Sequence, residues 1–215
     1  MPPPRPRAVL FDWDNTLVDG WASVAAALNV VFRGRGMPEW TAREAQARVR
    51  GSARETFPAM FGAGWERDLT VFYAAIGDVH LRQLRELPGA RALLAACAFV
   101  PLAVVSNKSG PVLRREVAHL GWTSCFGAVV GAGDAAADKP DPAPIRMALG
   151  LLGVEAGSDV WYVGDTALDM EAARAAGCRA VLLGDAAHDG GLDHARPDAH
   201  YACADQLGGE IAALA

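Results

Sequence analysis

Cysteine is scarce: four in 215 residues, with no two close enough to form a CxxC pair. That leaves neither a disulfide framework nor the spacing of a thiolate zinc site. Cys97, Cys125, Cys178 and Cys203 each lie among Ala, Phe or Val and are expected to act as small hydrophobes in a reducing, cytoplasmic setting. Basic residues are also short, 20 Lys and Arg against 25 Asp and Glu, for a formal charge of −5. Proteins that track nucleic acid or an anionic membrane surface show the opposite balance, so neither partner is expected. No apolar run approaches the roughly 20 residues of a membrane span. The opening Met1–Arg7 has two arginines but no apolar stretch behind them, and reads as an extended tail rather than a secretory signal. What remains is a chain that is 52% hydrophobic and long enough to bury a core, as one domain with an attachment or two small ones.

Short apolar runs recur at Ala8–Phe11, Val100–Val105, Phe126–Val130, Val160–Val163 and Ala180–Leu183, with a last strand expected near Ala199–Cys203. They are apolar on both alternating faces, as strands of a sheet covered on two sides must be. Helix-like stretches lie between them at Pro111–Leu120, Pro142–Leu152 and Leu168–Ala176. Pro111 and Pro142 suit a first helical turn, and Gly121, Gly153 and Gly177 suit the position just past a helix end. This alternation predicts an α/β fold, a Rossmann-like three-layer parallel sheet. From about Trp21 to Pro88 the pattern has no convincing strand, only helical stretches at Ala22–Arg33, Ala42–Val49 and Leu69–Leu87. An insertion of that length is too long for a crossover and predicts a small α-helical cap domain over residues 20–88, hinged near Gly20 and Leu87–Gly89. The sheet domain is then 1–19 and 89–215.

The polar residues gather where apolar runs stop. The first strand leads into Asp12-Trp13-Asp14-Asn15-Thr16, the second into Ser106-Asn107-Lys108, and the Val160–Val163 strand into Gly164-Asp165 with Asp169 four residues on. Asp138-Lys139-Pro140-Asp141 follows the Phe126–Gly133 region. Ligands of open α/β sheets bind beyond the carboxyl ends of the strands, so topology collects these groups in one crevice. Asp12 and Asp14 would share a face if strand geometry held through them, and two such carboxylates need a retained proton or a cation between them.

These four clusters, in this order, resemble the haloacid dehalogenase superfamily, and specifically its helical-cap phosphatases. The residues that carry the likeness are Asp12-x-Asp14-x-Thr16, Ser106-Asn107, Lys139-Pro140 and Gly164-Asp165-x-x-x-Asp169. The resemblance implies Mg²⁺ held by Asp12, the backbone carbonyl of Asp14, Asp165 and Asp169. It implies Asp12 as nucleophile, Asp14 as general acid and base, and Lys139 and Ser106 on the phosphoryl oxygens, with Asn107 and Thr16 assisting in binding. Dehalogenases of the superfamily lack the second acid, and the hexose-phosphate mutase branch carries a His shortly after the first motif. Here Asp14 is present and Val18–Val24 has no His, which favours hydrolysis.

The substrate implied is a small phosphorylated metabolite, with 2-phosphoglycolate as the leading member. A sugar phosphate, nucleotide or pyrophosphate, a mutase, and a non-catalytic interaction protein are the alternatives. Val49–Arg54 resembles the loop that related caps lower over the leaving group, and Arg50 and Arg54 are read as contacts to a second anionic group. Three other features are set aside. Gly131-Ala132-Gly133-Asp134-Ala135-Ala136 matches a dinucleotide fingerprint, but prolines follow where the receiving helix should run. His188, Asp189, Asp193 and His194 are read as a surface loop. Trp21, Trp40 and Trp65 are read as core residues of the cap, and Trp13 as packing.

Overall fold

The computed structural model describes residues 5–49 and 52–214. Arg50 lies outside the described residues. In chain order the elements are β1 (Ala8–Phe11), β2 (Val18–Asp19), α1 (Trp21–Arg35), α2 (Ala42–Arg48), α3 (Ala53–Phe61), α4 (Trp65–Gln83), β3 (Arg85–Glu86) and α5 (Ala90–Ala96). They continue with β4 (Leu102–Ser109), α6 (Gly110–His119), β5 (Ala128–Ala132), α7 (Ala143–Leu152) and β6 (Val160–Gly164). The chain closes with α8 (Ala167–Ala176), β7 (Arg179–Leu183), α9 (Gly191–Ala195), β8 (Ala199–Tyr201) and α10 (Ala204–Leu214).

Six strands pair in parallel in the order β5-β4-β1-β6-β7-β8. β1 is central, with Val9 opposite Leu102 on one side and Trp161 on the other. Its four residues, Ala-Val-Leu-Phe, are all fully buried, because both sheet faces are covered. One face buries Ala8, Leu10, Ala103, Val105, Tyr162 and Leu182 together with Ile145 and Leu149 of α7 and Met170 of α8. Val9, Phe11, Val104, Trp161 and Val163 alternate onto the other face and are equally enclosed. No helix among the described residues is long and apolar enough to cross a membrane.

The chain divides into two compact units, residues 1–18 with 86–215, and residues 19–85. Both connections run through β2 and β3, which pair as a two-residue ribbon, so the stretch read as strandless ends in a short strand. Within the smaller unit, α1 packs on α4 and α3 on α4. Its core is phenylalanine rather than tryptophan. Phe32, Phe57, Phe61 and Phe72 are buried and in ring contact, whereas Trp21, Trp40 and Trp65 are only half-buried. The larger flat indoles keep an edge at the surface, as Trp40 does beneath the Arg48 guanidinium.

Local signals place several boundaries. Thr41 closes a capping box with Glu44 at the start of α2, and Gly153 and Gly177 end α7 and α8 in the left-handed conformation. Four helices, α3, α5, α9 and α10, have no counterpart in the periodicity reading. α3 contains Pro58, which conceals a helix in a pattern-based reading. α5 is seven residues of mostly alanine and leucine, too short to show a period. Pro142 is the N-cap of α7, and the proline in its first turn is Pro144. Of the cysteines, Cys97 and Cys178 are buried as expected, but Cys125 and Cys203 are exposed.

Candidate active site

The strand order puts the carboxyl ends of β4, β1 and β6 side by side. Asp12 follows β1 directly, its N–H bonded to the Val163 carbonyl at 2.8 Å, and Asp165 follows β6. Ser106, Asn107 and Lys108 lie in the last residues of β4 itself, where its register against β5 shifts between Val105 and Ser109. After Asp12 the chain turns sharply: Asn15 adopts φ 60°, a left-handed conformation asparagine tolerates, and Thr16 and Leu17 fold back onto the Trp13 carbonyl. The turn ends the shared strand face of Asp12 and Asp14. It leaves Asp12 buried and Asp14 half-buried.

Lys139 arrives from the loop after β5, through a cis Lys139–Pro140 bond, and only 2% of its side chain is exposed. Its ammonium sits 2.7 Å from Asp12 Oδ1, 2.6 Å from Asp169 Oδ1 and 2.8 Å from the Tyr162 hydroxyl. Asn107 holds this lysine in place: its Oδ1 accepts from the Lys139 N–H at 2.9 Å and its Nδ2 donates to the Lys139 carbonyl at 2.8 Å. The Asn107 amide is therefore committed to Lys139 backbone rather than turned to a ligand. Tyr162, a residue the sequence reading passed over, donates to the Val105 carbonyl and accepts from Lys139. Its place in an apolar strand run concealed it. Asp169 is the third residue of α8, and its Oδ2 accepts from Thr166 Oγ1 and N–H in a capping box. Thr16 Oγ1 lies 3.5 Å from Asp12 Oδ2, and the Ser106 hydroxyl accepts from the Lys108 N–H at 3.2 Å.

Asp12, Asp165 and Asp169 each bring a carboxylate oxygen within 4.8 Å of the other two, and all three are buried. Three carboxylates share one ammonium there, and the electrostatics register the deficit. Burial, and then the charge of Asp169, push Asp12 up to about 7 despite Lys139. Burial and the same neighbours push Asp165 well above the usual carboxylate range. Lys139 moves the other way: burial would lower it, but Asp12 and Asp169 hold it firmly protonated. Asp165 Oδ2 is enclosed and accepts no hydrogen bond among the described residues, although His188 Nε2 lies 3.4 Å away. A buried oxygen without a hydrogen bond, inside an over-negative carboxylate cluster, is what a hard divalent cation complements.

Asp14 belongs to a second network. Lys108 Nζ donates to Asp14 Oδ1 and to Glu116 Oε2, each at 2.8 Å, and Trp13 Nε1 donates to the same Glu116 oxygen at 2.5 Å. Trp13 is thus more than packing, although it also meets Trp122 edge to face. Lys108 stands in the Ser106-Asn107-Lys108 cluster but was given no role from the sequence, and Glu116 was not singled out. A glutamate in an ordinary helical stretch gives no sign that it is buried.

Arg54 and His188 are found in other settings than the sequence suggested. Arg54 is the second residue of α3, exposed, and on a helix rather than in a loop. His188 is not on a free surface loop: its Nε2 lies 3.4 Å from Asp165 Oδ2, in a short 3₁₀ turn whose Asp189 accepts from the Ala167 N–H at the start of α8. The glycine-rich fingerprint has a packing origin, since a Cβ on Gly131 would fall 2.5 Å from the Gly110 Cα.

The family model for haloacid dehalogenase-like hydrolases matches residues 9–183. The chain belongs to that family. It is an enzyme of the family's hydrolytic kind, and its relatives carry phosphatase names. It is 33% identical over 187 residues to a phosphoglycolate phosphatase of Pectobacterium atrosepticum, covering 81% of this chain and 79% of that one. A phosphoglycolate phosphatase of Yersinia pestis is 28% identical over 202 residues, covering 82% and 80%. The fold matches that of a haloacid dehalogenase-like hydrolase from Streptococcus pneumoniae with a TM-score of 0.79 at 20% identity, over 91% of this chain and 93% of that one.

Proposed function

We propose that the protein is a Mg²⁺-dependent phosphatase for a small phosphomonoester, best matched to 2-phosphoglycolate, working through an aspartyl-phosphate on Asp12. The observation that carries this reading is the buried Lys139 ammonium on Asp12 Oδ1, beside the buried carboxylates of Asp165 and Asp169. Asp12, Asp165 and Asp169, with the Asp14 carbonyl, would hold the ion. Bound there, it supplies charge that keeps Asp12 ionised and offsets the phosphate's repulsion.

In the first step a carboxylate oxygen of Asp12 attacks phosphorus as the ester P–O bond breaks. Asp14 passes a proton to the departing alkoxide. In the second step water attacks the same phosphorus, Asp14 takes its proton, and the bond to Asp12 breaks to release phosphate. Lys139 and the Ser106 hydroxyl stabilise charge on the phosphoryl oxygens, and Thr16 steadies the Asp12 loop. Two relatives named phosphoglycolate phosphatases support the substrate. Arg54, and Arg50 four residues before it in sequence, are proposed as contacts to the substrate's second anionic group.

Phosphate release should be measured against 2-phosphoglycolate, sugar phosphates, nucleotides and pyrophosphate, with and without Mg²⁺. Metal-dependent release, highest on 2-phosphoglycolate, is expected. Preference for another ester would replace the substrate, and no release from folded, Mg²⁺-loaded protein would overturn the reaction.

The same cluster makes a prediction that does not involve turnover. Asp12 is raised in the folded protein, so its contribution to stability is present at low pH and lost as pH rises from its unfolded value through about 7. Mg²⁺ counters that loss. At a hundredfold excess over Kd it should add about 3 kcal/mol, or a melting rise of about 5–10 °C, at pH 8. The rise should shrink at pH 5, where protons compete for the same oxygens. Calorimetry at the two pH values checks this, and an equal rise at both would contradict it.

A further inference from the structure

Glu116 is a helical carboxylate with no exposed surface, and the scheme above leaves it idle. Burying a carboxylate is costly unless it is paired and hydrogen-bonded, and apolar residues of similar size would usually serve the fold as well. Its partners point to a purpose. Glu116 Oε2 receives Trp13 Nε1 from the residue between the two site aspartates, and Lys108 Nζ from the end of β4. The Lys108 side chain is only 6% exposed, and its ammonium is divided between Glu116 and Asp14. An ion pair that merely tied α6 to β4 would be complete with Lys108 and Glu116 alone. The second lysine bond goes to Asp14, from which Trp13 is one residue away.

We infer that Glu116, acting through Lys108, is a positioning residue for the Asp14 carboxylate. Lys108 holds Asp14 Oδ1, and with it the orientation in which the carboxyl group meets the leaving group. Glu116 fixes where the Lys108 ammonium sits and balances its charge. This rests on the phosphatase reading, with Asp14 as the proton donor.

The test uses the leaving group. An alkyl ester such as 2-phosphoglycolate needs a proton on the departing oxygen, whereas p-nitrophenyl phosphate releases a phenolate that does not. Glu116→Gln should lower kcat on the alkyl ester about 10- to 100-fold, with KM within about threefold, and on the aryl ester by only a few-fold. Asp14→Asn should show the same selectivity to a greater degree, and Glu116→Asp should recover part of the alkyl activity. Should Glu116→Gln fail to fold, the double variant Lys108→Met/Glu116→Leu replaces the pair with apolar groups and should show the same selectivity. Equal losses on both esters, or full alkyl kcat in a variant that only melts lower, would make the network structural and overturn the inference. A loss from Asp14→Asn that is equal on the two esters would overturn the role of Asp14 itself. A wild-type protein that splits neither ester would overturn the phosphatase reading, and this inference with it.

Discussion

Asp12→Asn is expected to lower kcat by at least about 10⁴-fold, since an amide cannot form the covalent intermediate and removal of a nucleophile commonly costs that much or more. The fold should not suffer. Burial already pushes the Asp12 carboxyl up to about 7, so above that pH an ionised group occupies a place that favours a neutral one. Asparagine is neutral at every pH and nearly the same shape, and Lys139 keeps Asp169 and Tyr162 as partners. Without Mg²⁺ at pH 8, the variant should therefore melt at or above the wild type. Its melting rise on adding Mg²⁺ should be smaller, because one of three buried carboxylates is gone. Phosphate release and calorimetry on the same samples check both halves. Residual activity above about one part in a hundred would remove Asp12 from the reaction.

Lys139→Met should damage activity and stability together. The substitution keeps most of the side-chain volume but removes an ammonium that sits within 2.7 Å of Asp12 and 2.6 Å of Asp169. Breaking a buried pair by deleting one partner typically costs about 3–5 kcal/mol, which for a chain of this size is a melting drop of about 10 °C or more. The sign with pH follows from Asp12. Lys139 is what draws its pKa down, so without the lysine the carboxyl rises further and the ionised cluster is less tolerable. The melting drop should be larger at pH 8 than at pH 5. Mg²⁺ should restore part of the melting temperature but not kcat, which is expected to fall about 10²- to 10³-fold with the loss of charge stabilisation on the phosphoryl group. An unchanged melting temperature at pH 8 would contradict the burial and pairing of this lysine.

The sheet was legible because its inner strands, such as β1 and β6, are short runs apolar on both faces, and few other structures need that pattern. Asp12, Lys139, Asp165 and Asp169 were legible because each stands near where such a run stops. The inserted helices were legible as helices but not in detail. Periodicity does not detect one with an internal proline, such as α3, and does not distinguish Phe57 from Trp65 as the residue that ends inside. The supporting network was the hardest to see. Glu116 lies 103 residues from Trp13, its hydrogen-bond partner, and the separation of Asn107 from Lys139 is 32. Such contacts are fixed by the packing of α6 on the sheet and the path of the loop after β5, and no local pattern encodes either.

The central position of β1 bears on how the protein is made. It comes before the other five strands of its sheet in the chain, yet its neighbours in the sheet begin at Leu102 and Val160. Parallel pairing over such distances is slow, because much chain must be ordered before any contact rewards it. A nascent chain therefore carries Ala8–Phe11, wholly apolar, with both edges unpaired until β4 has been made and one edge unpaired until β6 has been made. Asp12, Lys139 and Asp169 can meet only after Asp169 has emerged, 157 residues after Asp12. Over that interval the strand on which the active site depends is the segment most in need of protection from other chains.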